Sequence, residues 1–261
     1  MEKKKNKKDN KRKNNVTKNS TIISFIKNHF LDIIIIILIL VITYSSVIYI
    51  DNKTTEKNTI KEIESSNITE NNSKSVSDEI NELKDKFSNE DITAILKIDD
   101  ILYTPIAQGR DNQYYLKHSL YKNKSVIGST FMDYRVNKDS KQINIYGHNH
   151  SRLNPPFKIL ASYVNENFYK EHKFIKLKID NETYVYQIFS VALLEKVSTS
   201  EHMNISYNNN EEWLSHFNRL KNSSIFDIDA KIDENSKILV LQTCMFGKYR
   251  KKLLVISAVQ L

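Results

Sequence analysis

Residues 33–50 carry no charge over 18 consecutive positions and begin Ile33-Ile34-Ile35-Ile36-Ile37. About 20 apolar residues wound as a helix span the hydrocarbon of a bilayer, so this run is long enough to cross one. A cleaved signal peptide is the competing reading. The run is long for a signal core, however, and Thr43-Tyr44-Ser45-Ser46 offers no small-residue cleavage site. Residues 1–28 hold ten basic side chains against two acidic ones, Glu2 and Asp9. Positive charge stays on the cytoplasmic side of a membrane. The expectation is a basic cytoplasmic tail over 1–29, a single-pass anchor over 30–50 in the cell membrane, and an extracellular remainder.

The whole chain has 39 Lys and Arg against 31 Asp and Glu, a formal net charge of +8. The tail accounts for all of that excess. The rest of the chain carries 29 basic and 29 acidic residues and is neutral. A nucleic-acid-binding domain needs its basic patch on the folded part, so that class is excluded as a partner. Residues 51–75 are polar and contain no aromatic side chain. Such a stretch buries too little surface to fold by itself and reads as a linker. A domain over 76–261 remains.

That domain opens on a helix signal. Ser77-Asp78-Glu79 supplies a cap and early acidic charge, and Val76, Ile80, Leu83 and Phe87 recur at helical spacing. Short β-like runs come next at 94–98, 101–107, 126–134, 142–147, 174–179, 183–194, 237–244 and 252–259, broken by Gly, Asn and Asp. Two helices interrupt them. One spans 155–160 with proline in its first turn. The other spans 210–221, with Trp213, Leu214, Phe217 and Leu220 on one face. Eight short strands predict a mainly β fold, a closed or nearly closed barrel with inserted helices. The domain is long enough to build a core without disulfides.

Cys244 is the single cysteine of the chain, so it cannot form an internal disulfide. A free cysteine is usually a small buried hydrophobe. This one ends its apolar run, Ile238-Leu239-Val240-Leu241-Gln242-Thr243-Cys244, instead of sitting inside it. A second run, Ile143-Asn144-Ile145-Tyr146-Gly147-His148, ends in histidine. Arg250 follows the cysteine across Met245-Phe246-Gly247-Lys248-Tyr249, which reads as a hairpin connection placing Cys244 and Arg250 on neighbouring strands. A thiol attacks carbonyls as thiolate and needs a base or cation nearby. The basic cluster of Lys248, Lys251 and Lys252 is either a solvated turn or a field that favours the thiolate. A histidine can return a proton to a leaving amine, and a guanidinium is a strong fixed donor for an oxyanion. The three residue types together suit thiol acyl transfer. A zinc set of His148, His150 and Cys244 is the rival, but no further cysteine or carboxylate stands nearby at ligand spacing. Thiol acyl transfer needs no metal, and no cofactor is expected.

The pattern resembles the sortases, cysteine transpeptidases of Gram-positive cell surfaces. The matching residues are Tyr146-Gly147-His148-Asn149, Leu241-Gln242-Thr243-Cys244 and Arg250. The finer likeness is to class B. Asp111-Asn112-Gln113-Tyr114-Tyr115-Leu116 and Ser129-Thr130-Phe131-Met132-Asp133-Tyr134-Arg135 are similar to class B segments, and helices before the barrel and before the cysteine strand are class B features. The resemblance covers about residues 76–261. It implies an eight-stranded sortase barrel and cleavage of a sorting signal near the C-terminus of a secreted protein. Cys244 attacks the threonine carbonyl, His148 protonates the leaving amine, and Arg250 holds the oxyanion or substrate backbone. A peptidoglycan amine, or a pilin lysine, then resolves the thioester. Class B enzymes favour Asn-Pro-x-Thr-x signals over the Leu-Pro-x-Thr-Gly of class A. Substrate contacts carry over to Asn112, Leu116 and Tyr146, with Gln242 in the groove where class B has a small hydroxyl residue. The gap from Cys244 to Arg250 is short for the family. Lys252 stands where a longer gap would put the arginine, and Arg135 is the fallback. His150 stands where class members often carry methionine. A pilin-polymerising sortase and a non-catalytic peptide-binding β-domain are the alternatives.

Overall fold

The computed structural model describes residues 29–65, 74–196 and 203–261. The basic tail expected over 1–29 lies almost wholly outside them. The chain divides into two compact units, Met1–Thr54 and Thr55–Leu261.

In the first unit the apolar run is helical. Helix α1 spans Phe30–Ser65, continuing past the expected anchor into the segment read as linker. Residues 51–65 contain neither Gly nor Pro, so nothing interrupts the backbone ladder where the apolar run ends. Among the described residues this helix alone is long and apolar enough to cross a membrane, and a membrane anchor and a signal sequence both meet that test. Within the second unit, Thr59 is buried and its hydroxyl lies 3.4 Å from Ser125 Oγ.

The second unit starts with helix α2, Val76–Phe87. Ser75 caps it by accepting from the Asp78 N–H, and Ser88 ends it in the left-handed region. Its buried stripe of Ile80, Leu83 and Phe87 packs on Ile92 and Ile95. The Glu79 carboxylate, itself buried, receives Lys178 Nζ at 2.7 Å and the Tyr103 hydroxyl at 2.7 Å, tying the helix to the sheet.

Eight strands come after it: β1 Ile92–Ile98, β2 Leu102–Ala107, β3 Phe131–Met132, β4 Gln142–Tyr146, β5 Phe174–Ile179, β6 Glu182–Glu195, β7 Ile238–Cys244 and β8 Lys252–Gln260. They close a barrel in the order β1-β2-β3-β4-β7-β8-β6-β5. The β2–β3 and β4–β7 pairs are parallel and the others antiparallel. Closure leaves no bare sheet edge. The interior is apolar, with Leu96, Ile106, Ile145, Leu177, Ile188, Leu241 and Ile256 fully buried. A second cluster lies between β7–β8 and helix α4, Asn210–Asn222, which carries Trp213, Phe217 and Leu220. Helix α3 is the short Glu166–Glu171 segment capped by Asn165.

Two expectations change. Residues 126–134 hold only the two-residue β3, because the stretch before it is loop built around Gly128. Gly128 has φ +54, and a Cβ there would lie 2.2 Å from the Tyr115 carbonyl oxygen. The helix expected at 155–160 is a 3-10 helix over Pro156–Val164.

Candidate active site

The parallel pairing of β4 with β7 sets the site. Tyr146 stands opposite Gln242, and the Gly147 N–H bonds the Gln242 carbonyl at 3.2 Å, carrying the pairing one step past β4. Two positions further on, Cys244 is the last residue of β7 and His148 stands in the loop past β4. Side chains alternate with a period of two along β7, so Cys244 shares the face of Gln242, while His148 is tied to the Leu116 loop by its own hydrogen bond. That face is the outer one. Ile145 and Leu241, one position away, point into the barrel core.

Gly147 lets this end of β4 lie against the 3-10 helix. A Cβ at that position would fall 2.6 Å from the Phe157 ring, far inside contact distance. The next residue, His148, is half-buried, and its Nε2 lies 2.9 Å from the Leu116 carbonyl oxygen. A carbonyl only accepts, so Nε2 donates a proton to it, which leaves Nδ1 as the nitrogen open to proton exchange. Cys244 is half-buried and free, packed against the cluster of Trp213, Phe217 and Leu253.

Leu116, Asn112, Tyr146 and Gln242 gather beside this pair. Leu116 packs against Tyr115, Phe131, Tyr146 and Ala107. Asn112 Oδ1 accepts the Tyr134 N–H at 3.1 Å, and the Tyr146 hydroxyl donates to Asp133 Oδ2 at 3.0 Å. Asp133 is fully buried. Burial pushes its pKa up, but the Arg135 guanidinium, the Arg135 N–H, Tyr146 and Asn112 outweigh that and hold the carboxyl below its ordinary value. Burial, and then the Asp133 charge, push the Tyr146 phenol up.

Arg250 departs from expectation. The connection after Cys244 contains a 3-10 turn, Gly247–Tyr249, and β8 begins only at Lys252. Gly247 has φ +62 and turns the chain there. Cys244 pairs with Leu253, so Arg250 sits in the connection and not on the neighbouring strand. Its side chain is exposed and makes no hydrogen bond or ion pair among the described residues. Lys252 is paired with Glu195 on β6. Arg135 is spent on Asp133, with Nε to Oδ1 at 2.9 Å and Nη2 to Oδ2 at 2.7 Å.

In the rival zinc set each histidine has one ring nitrogen engaged elsewhere. His150 Nδ1 accepts the Arg152 and Leu153 N–H groups at 3.2 and 3.0 Å. Burial and the Arg152 charge push its pKa down. Among the described residues no cluster of three or more His, Cys, Asp or Glu side chains could hold a metal ion. Past His148 and Cys244, a groove of about 920 Å³ opens between β2 and the 3-10 helix, bordered by Asn149, His150, Lys158, Met245 and Phe246.

Sequence reading gave no role to Asp133 or to the Leu116 carbonyl. The Asp133-Tyr134-Arg135 spacing was visible, but nothing in it shows that the carboxylate turns inward. A backbone acceptor leaves no mark in a sequence at all.

Comparison with known proteins sharpens the assignment. No family model matches the chain. It is 26% identical over 178 residues to sortase B of Staphylococcus aureus, covering 66% of this chain and 71% of the relative. It is 28% identical over 185 residues to sortase B of Listeria monocytogenes, covering 70% and 74%. A crystal structure of sortase B complexed with triglycine superimposes with a TM-score of 0.64 at 25% identity, covering 72% of this chain and 87% of that one. These likenesses support a class B sortase. The sortase B matches and the closed eight-stranded barrel also agree with the cysteine transpeptidase activity of that family, for which Cys244 is the one thiol available.

Proposed function

We propose that this protein is a membrane-anchored class B sortase. It cleaves a C-terminal signal of the Asn-Pro-x-Thr-x type after threonine and transfers the new end to a peptidoglycan amine. The observation that carries this reading is the parallel β4–β7 pairing, which ends with Tyr146 opposite Gln242, two residues before His148 and Cys244.

The steps follow from that placement. The Cys244 thiol passes its proton to His148 Nδ1, and the resulting thiolate attacks the threonine carbonyl carbon so that a C–S bond forms. The tetrahedral oxyanion takes hydrogen bonds from Arg250, the one arginine downstream of the cysteine. For this its exposed side chain swings in when substrate binds, since catalytic hydrogen bonds often close only in the complex. The C–N bond breaks as His148 Nδ1 delivers a proton to the departing amine, leaving a thioester. An acceptor amine then attacks the thioester, its proton passes to His148, and the C–S bond breaks to restore the thiolate. Asn112, Leu116, Tyr146 and Gln242 are assigned to the signal peptide. The solved sortase B complex with triglycine supports a short amine-bearing peptide as acceptor. The basic N-terminus stays in the cytoplasm and the catalytic domain lies outside the cell.

The test uses the full chain in detergent micelles with a fluorogenic Asn-Pro-x-Thr-x peptide. Cleavage releases the segment after threonine, and added triglycine captures the acyl end. Cys244→Ala abolishes both while peptide binding persists. Binding without turnover by the unaltered protein would instead mean a non-catalytic peptide receptor.

A further inference from the structure

Asp133 is a buried carboxylate with an unusual number of partners. Its side chain accepts from the Arg135 backbone N–H at 3.0 Å, from Arg135 Nε at 2.9 Å and Nη2 at 2.7 Å, and from the Tyr146 hydroxyl at 3.0 Å. The Asn112 side chain also helps to hold its pKa down. A buried charge is costly unless fully paired, and losing one partner leaves the rest exposed to that cost. An apolar residue would fill the same volume without that risk. The charge instead joins segments that are distant in sequence: Asn112 on the loop after β2, Arg135 just past β3, and Tyr146 at the end of β4. Two of them, Asn112 and Tyr146, are residues assigned to the signal peptide.

We infer that Asp133 is a positioning residue for peptide recognition, fixing the Tyr146 ring and the Asn112 loop relative to each other so that they meet the signal as one preformed surface. The inference rests on the sortase reading above and adds the group that holds its binding face. The geometry allows little slack. Tyr146 has one hydroxyl proton and gives it to Asp133, so the ring cannot rotate away without breaking that bond. Asn112 is held by the residue next to Asp133, accepting the Tyr134 N–H through Oδ1 at 3.1 Å. Its loop continues to Leu116, which packs on the same Tyr146 ring. Asp133 touches neither His148 nor Cys244 through any of these bonds. Its removal should therefore weaken peptide capture more than the chemical step. The ordering of the bound surface is lost while the nucleophile is left as it was.

The experiment measures kcat and KM for the fluorogenic Asn-Pro-x-Thr-x peptide with full-length protein in micelles. The rate of Cys244 alkylation by iodoacetamide is measured on the same samples. Asp133→Asn is expected to raise KM about tenfold, the size of one lost charge-assisted hydrogen bond, with kcat changed by less than about threefold and alkylation unaltered. Tyr146→Phe removes the other end of the bond and is expected to raise KM as well. The double variant should be no worse than the poorer single one, because both break the same link. Should Asp133→Asn fail to fold, Tyr146→Phe and Asn112→Ala carry the test, and both must raise KM. An unchanged KM in any folded variant overturns the inference, as does a loss confined to kcat or single effects that multiply in the double variant. Failure of the unaltered protein to cleave the peptide sinks the sortase reading and takes this inference with it. Normal cleavage by the unaltered protein and by Asp133→Asn sinks this inference alone.

Discussion

At the residue scale, the site turns on which nitrogen of His148 is free. The Leu116 carbonyl engages Nε2, so Nδ1 is the nitrogen left to exchange a proton. Arg250 is the residue whose placement was least visible from sequence. Its distance from Cys244 along the chain was plain, but the 3-10 turn that takes it off the strand depends on how Gly247 is used. Arg250→Lys should lower kcat about a hundredfold, because a point-charge ammonium cannot supply the planar fork that meets an oxyanion. Steady-state cleavage of the signal peptide measures it. Near-normal turnover would shift the role to another cation. Cys244 and His148 were legible because each ends an apolar run at a polar loop. Asp133 was not, because burial of a carboxylate is decided by neighbours on other segments.

At the element scale, the barrel strands were readable wherever apolar residues ran together, as in β1, β4, β7 and β8. The failures have local causes. Residues 126–130 look β-forming, but Gly128 bends the chain against Tyr115 and the ladder shrinks to two residues. Helix α3 is six residues long, too short to show a helical period. The junction of β4 with the 3-10 helix yields a sharp prediction. Gly147→Ala would drive a methyl group to 2.6 Å from Phe157. Relieving that overlap should cost about 1–3 kcal/mol and push the end of β4 outward. A lowered melting temperature, with peptide cleavage reduced even where the protein remains folded, is the expected result. A variant as stable and active as the parent would show that Phe157 yields freely.

At the scale of the whole molecule, the apolar run and the barrel fall in separate compact units. The helix continues past the expected end of the anchor because composition alone marks where apolar residues stop, not where helical hydrogen bonds stop. If α1 is an uncleaved anchor, the full-length protein should stay with membranes through alkaline carbonate extraction and keep its N-terminal residues by mass. A shortened soluble product would identify a signal sequence instead.

The barrel's wiring also governs when β4 meets β7. β4 and β7 lie side by side and parallel, yet β5, β6 and α4 are all made between them. Their pairing is non-local, and such contacts form late because the intervening chain must close first. During synthesis His148 is therefore made well before Cys244, and β4 waits for β7 while the segments between them are added. Under the proposed sortase function, a chain that stops short of β7 is therefore inert toward a signal peptide.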